Sequence, residues 1–221
     1  MNYLAHAWVL PEGAPPGVVL GCALPDMLSA VDRRAPRLTA DAAGRLEAAG
    51  ERDLARGVRA HQAADASFHA LPAFQEGRRL APALEGVRGF FLGHILLEML
   101  LDAALAGRTP GLTAGFYAAL EAVDLERTVR ACSRATGAPT DPTRFLEAAG
   151  RFLTMRFLFD YATDDGILLR LGQVLGRARQ PLGEDGASRL RASLPDLRDR
   201  VDRLVPALTD EPRAAVARAL A

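Results

Sequence analysis

The chain has 221 residues, 49% of them hydrophobic and 24% charged, a balance that fits one folded domain whose core needs no disulfide framework. Basic and acidic residues number 27 each at zero formal net charge, so no overall field draws in nucleic acid or an anionic membrane. Every basic residue is arginine, which excludes a lysine nucleophile, Schiff-base chemistry and a P-loop lysine.

Alanine, leucine and arginine outweigh β-branched and aromatic residues, so the expected fold class is all-α, a single multi-helix domain over 1–221. At the N-terminus no arginine precedes Arg33, and Pro11, Pro15 and Pro16 interrupt the apolar stretch, so it does not read as an export signal and the expected location is cytoplasmic. Cys22 and Cys132 stand apart without metal-finger spacing and read as reduced and buried. By spacing alone, His6 reads as a surface histidine and Asp26 as the cap of a turn at Pro25. Further breakers at 11–17, Pro36, Gly50, Pro72, Pro82, 107–111, 137–142, 181–186 and Pro206 leave segments of helical length between them.

Two of those segments carry chemistry. His61, Asp65 and His69 fall at i, i+4 and i+8, so a helix through them projects three ligand-type side chains from one face. His94, Glu98 and Asp102 repeat the spacing on the next long segment. The run 90–101 is otherwise apolar, too short to span a bilayer, and is expected to bury its His–Glu pair. A buried carboxylate costs several kcal/mol unless it is paired or bound to a metal. One such pair reads as a hydrogen bond inside a core. Two sets, holding three of the four histidines, read as a polynuclear metal site between two packed helices.

Downstream, 107–111 is the candidate hinge between two halves of one core. Asp141-Pro142 opens a helix over 143–163 in which Leu146, Phe152, Leu153, Met155, Phe157 and Phe159 are expected to be buried. Asp164-Asp165-Gly166 reads as pocket lining or equally as a loop or helix cap. The segment 185–205 reads as an amphipathic surface helix. No G-x-S-x-G elbow, G-x-G-x-x-G or Walker loop occurs, and neither cysteine has a histidine within a few residues, which argues against a covalent hydrolase or a nucleotide site.

Three segments carry a resemblance: Met1-Asn2-Tyr3-Leu4-Ala5-His6, the stretch from Gly21 to Asp26, and His61-Gln62-Ala63-Ala64-Asp65-Ala66-Ser67-Phe68-His69-Ala70-Leu71-Pro72. Together they resemble the acyl carrier protein phosphodiesterase family, the hydrolases that release 4'-phosphopantetheine. Its members begin M-N-[FY]-L-A-H and continue with G-N-x-L-x-D and H-x-x-[IA]-D-x-x-[TF]-[DH]-x-x-P segments. Cys22 replaces the family's asparagine, His94, Glu98 and Met99 stand where the family has an acid and an Asp-His pair, and 161–179 matches more loosely.

The resemblance implies an HD-domain-like helical bundle, manganese dependence and a metal-bound hydroxide attacking a phosphodiester, with acyl carrier protein as substrate. The helical pairs are also similar to those of all-α zinc phospholipase C and P1-type nucleases, whose mature N-terminal Trp is absent here, so a phospholipase C-like bundle is the variant. The implied ligands are His6, Asp26, His61, Asp65, His69, His94 and Glu98. A mixed nitrogen and oxygen set of this kind suits two or more divalent transition-metal ions, Mn first, Zn or Fe next. Asp26, Asp65 and Arg59 are expected to carry the chemistry. Asn2, Asp102, Tyr161 and Asp165 are expected to support the ligands, Asp102 either orienting an imidazole or lying on the surface. Arg59, Arg88, Arg177 and Arg179 are the candidate anion contacts. The rival reading is a helical protein that binds metal without catalysis.

Overall fold

The structure is a computed structural model that describes residues 1–31, 37–79, 89–137, 141–178 and 181–221, apart from the side chains of 89–91. The helices are α1 (Tyr3–Trp8), α2 (Pro16–Val31), α3 (Ala40–Ala48), α4 (Arg52–Ala70), α5 (Pro72–Gly77), α6 (Gly89–Arg108), α7 (Leu112–Glu121), α8 (Leu125–Thr136), α9 (Pro142–Met155), α10 (Asp164–Arg177) and α11 (Glu184–Leu220), with a 3-10 helix over Phe157–Ala162. No strand occurs among the described residues, and none of their helices is long and apolar enough to cross a membrane. The fold is the expected all-α domain with one continuous core.

Helix ends follow local chemistry. Thr39, Asp124, Asp141 and Thr163 each accept a backbone N–H from the first turn of the following helix. Pro142 stands at the start of α9 as its spacing predicts. Gly111 closes the turn of the expected hinge at φ 86°.

Proline misleads in two places, and a third expectation fails at Arg156. Pro25 and Asp26 do not form a turn; both lie inside α2. Pro206 does not end the C-terminal helix either, because α11 runs through Pro195, Pro206 and Pro212. Its buried stripe of Leu194, Leu197, Val201, Val205 and Leu208 packs against α4 and α6, and that burial outweighs the lost i→i−4 bonds. The helix expected over 143–163 stops at Met155, because Arg156 turns left-handed at φ 44° and the Leu158 N–H donates to the Tyr117 hydroxyl at 3.1 Å. The expected burial also fails within α9: Met155 is exposed and Leu146 and Leu153 are half-buried, with Phe145 and Ala149 in the core positions, while past the kink Phe157 is half-buried and Phe159 exposed.

Two contacts set the site's frame. α2 crosses α4 where Gly21 meets Gly57: a Cβ on Gly57 would lie 2.3 Å from the Val18 carbonyl oxygen and 2.7 Å from the Cys22 nitrogen. Only glycine permits that approach. α4 packs chiefly against α2 and α11, and α6 against α11 and α1; α4 and α6 reach one another through side chains, so they are not the closely packed pair expected from sequence.

Candidate metal centre

His61, Asp65 and His69 do share one face of α4, as their spacing requires, and α1, α2 and α6 bring the other candidate ligands to that face. The result is two adjoining triads rather than a single point: His6, His61 and Asp65 form one, and His69, His94 and Glu98 the other, with the ligand atoms of each within 4.8 Å of one another.

Helix packing buries the two imidazoles of the first triad, while the Asp65 side chain stays 36% exposed. His6 is fully buried and stacks on His61 with ring centroids 4.2 Å apart. His61 Nδ1 lies 2.9 Å from the Cys22 carbonyl oxygen. A carbonyl only accepts, so Nδ1 carries the proton and Nε2 keeps its lone pair for a ligand. Burial pushes the pKa of both imidazoles below the ordinary histidine value, which keeps them neutral. Asp26 lies beside them with Oδ2 3.5 Å from His6 Nε2, and burial lifts its carboxyl to about 7. Cys22 places its thiol 3.8 Å from His6 Nδ1.

The second triad is more open than the sequence predicts, with His94 34% and Glu98 17% exposed at the side chain. His69 Nδ1 lies 2.9 Å from the Asp65 backbone oxygen, which again leaves Nε2 as the free lone pair. His69 Nε2, His94 Nε2 and Glu98 Oε1 form a triangle with edges of 3.4, 3.0 and 4.0 Å. Ligand atoms roughly 2.0–2.2 Å from a tetrahedral ion lie about 3.4 Å apart, so the triangle fits a divalent ion with little rearrangement.

Between the triads the Met1 amino nitrogen lies 2.8 Å from Asp65 Oδ1 and 3.0 Å from Glu98 Oε1. Burial disfavours its charge, but Glu98 and Asp65 more than offset that, and its pKa rises to about 10. Conversely, burial pushes the two carboxyls up while the amine and the histidines outweigh it, holding both below the carboxylate range. A positive charge at this position therefore satisfies both triads at once. Among the described residues His6 Nε2 and Asp26 Oδ2 face one another at 3.5 Å but make no hydrogen bond, an arrangement that proteins avoid unless something else fills the gap. The donor set, its spacing and these orphaned atoms all fit metal ions, and each triad can hold one.

Asp102 neither orients an imidazole nor lies on the surface. It is fully buried and accepts the N–H groups of Leu4 at 3.2 Å and Ala5 at 2.8 Å, fastening to α6 the short helix that presents His6. Asn2 hydrogen-bonds the buried Tyr161 nearby. Asp165 pairs with Arg191, and Asp164 with Arg198 at 2.6 Å, so this acidic pair stands in the first turn of α10, which Thr163 caps, and braces α10 against α11. Arg59 pairs with Glu47 of α3, and Arg177 is exposed on α10. Arg88 and Arg179 lie outside the described residues.

A cleft of about 530 Å³ opens beyond the glycine crossing. His61, Asp65 and His69 line it from α4, Leu28 and Ser29 from α2, and Arg37 from the segment that follows. Arg37 was not legible in the sequence, since it stands at no diagnostic spacing from a histidine or an acid. No family model, curated protein or solved structure matches the chain.

Proposed function

We propose that this protein is a metal-dependent phosphodiester hydrolase holding divalent transition-metal ions, manganese foremost and zinc or iron next, in its two triads. The observation that carries the reading is the convergence of six ligand atoms beside a cleft, with buried His6 Nε2 and Asp26 Oδ2 facing one another at 3.5 Å without a hydrogen bond. Ions bound there supply Lewis acidity toward a phosphoryl oxygen and a water nucleophile at neutral pH. The chain's own residues do the rest. The Cys22 and Asp65 carbonyls keep the Nε2 atoms of His61 and His69 directed to the ligand positions. Asp26, with a carboxyl near 7, can accept and return a proton at Oδ2 around neutral pH. Helices α1 and α2 exclude water from the His6 side.

The phosphodiester we assign is the one that joins 4'-phosphopantetheine to acyl carrier protein. What supports it is the motif resemblance over 1–6 and 61–72; a cytoplasmic location goes with that substrate. With zero net charge, attraction for an acidic carrier falls to local arginines.

The test has two measurements on the purified full chain: metal content by mass spectrometry, and release of phosphopantetheine from holo carrier protein followed by its mass loss. More than one equivalent of metal, and turnover that chelation removes and manganese restores, is the expected result. Protein that carries no metal, or manganese-loaded protein that cleaves neither the carrier nor bis(p-nitrophenyl) phosphate, overturns the reading. Metal without turnover assigns a closed, structural site.

A further inference from the structure

The cleft is larger than a phosphate group requires. Its volume of about 530 Å³ lies within the roughly 300–1,000 Å³ typical of small-molecule sites. One part of its lining is the ligand face of α4, where the triads sit; Arg37 lies elsewhere in the lining, on the segment after α2.

Arg59, the arginine closest to the ligand stripe on α4, is held by the Glu47 carboxylate. Arg37 is exposed and makes no ion pair with the described residues, not even with Asp65, the carboxylate that lines the same cleft. Its base is nonetheless fixed. The Gln62 side chain donates to the Leu38 carbonyl at 2.5 Å, and Leu38 is buried, so the segment is tied to α4 directly beside His61. An unneutralised guanidinium on an anchored segment, facing a cleft whose other charged groups are given over to metal, is arranged for an anion that arrives with the ligand.

We propose that Arg37 is the specificity-determining residue of this cleft, receiving a second anionic group that the substrate carries apart from its scissile phosphodiester. This rests on the phosphodiester reading for the identity of the ligand, but its test needs no turnover. The manganese-loaded full chain is titrated calorimetrically with butylphosphonate, butane-1,4-bisphosphonate and 4-phosphonobutyrate, which present one anion or two. A second anion, phosphonate or carboxylate, is expected to tighten binding about tenfold to a hundredfold, the worth of a charge-assisted hydrogen bond. Arg37→Ala erases that preference and Arg37→Lys retains part of it. Neither two-anion ligand exceeding butylphosphonate in the wild-type protein overturns the proposal, as does a preference that survives in Arg37→Ala. A protein that shows the preference yet hydrolyses no phosphodiester keeps the role of Arg37 and loses the proposed reaction instead.

Discussion

The two triads use the same residue types and differ in how they are enclosed. His6, His61 and Asp65 come from helices locked together by the Gly21–Gly57 contact, and the imidazoles there are buried and neutral. His69, His94 and Glu98 meet near the end of α4 and along α6, with both histidines about one-third exposed. Two buried imidazoles, His61 already in its ligand tautomer, need little reorganisation on binding, whereas histidines one-third exposed leave room for water and substrate. The comparison predicts a division of labour, in which an ion beside the buried imidazoles is held by the fold and one at the second triad is available for exchange.

Removing one ligand from each side is the largest test of that division. His61→Ala is expected to lower metal affinity and hydrolysis by more than the about 10–100-fold that loss of a supporting residue costs. After dialysis it retains at most the outer ion. His94→Ala is expected to keep one tightly held equivalent while losing most activity. Metal per chain, measured for both variants alongside hydrolysis, decides it: equal losses erase the distinction between the triads.

Next in size is the helix crossing. Gly57→Ala drives a Cβ into backbone atoms of α2, which cannot rotate away as a side chain would, so α2 must lift from α4. A loss of about 3 kcal/mol is expected by urea denaturation, with the inner ion weakened more than the outer. Gly44→Ala, where nothing lies within 4 Å, is the control and should be neutral or slightly stabilising. If Gly57→Ala weakens both ions alike, the crossing supports the fold as a whole and not the inner triad in particular.

The reach of the sequence follows the same division. The α4 stripe and the His94–Glu98 pair are readable because helical spacing survives any packing. The inner site's partners are not, because they depend on which helices cross. Pro25 reads as a break, so Asp26 looks like a turn residue until the helix is seen to continue through it. Asp102 has the spacing of a ligand-supporting acid on α6 but spends both oxygens on the backbone of α1. The expected burial of Met155 and Phe159 fails at Arg156, whose left-handed backbone has no signal in local composition.

Asp102 offers a smaller, pH-dependent handle on the inner side. Burial raises its carboxyl from 3.8 to about 8 despite the two backbone N–H groups that favour the charge. Between those values the folded protein holds a proton that the unfolded chain has released, so this residue makes stability fall as pH rises across the window. Asn at this position does not titrate. In metal-free protein the stability difference should therefore shift toward Asp102→Asn by up to about 1.4 kcal/mol per pH unit from pH 5 to 8. A flat difference in urea denaturation means that Asp102 is ionised in the fold and the α1 contact is charge-assisted.

The smallest effect expected is that of Arg59, and it bears on which cation serves the cleft. Position along α4 makes Arg59 attractive, two residues before His61. On a helix, however, two residues is a rotation of roughly 200°, which sends its side chain away from the ligand face. There it meets Glu47 of α3 and is absent from the cleft lining. Exposed pairs of this kind add little, so Arg59→Ala should leave metal content, melting temperature and the KM for a phosphodiester within error of wild type. A tenfold rise in KM would instead mean that Arg59 releases Glu47 and swings to the substrate, restoring to it the anion-binding role that its exclusion from the cleft denies.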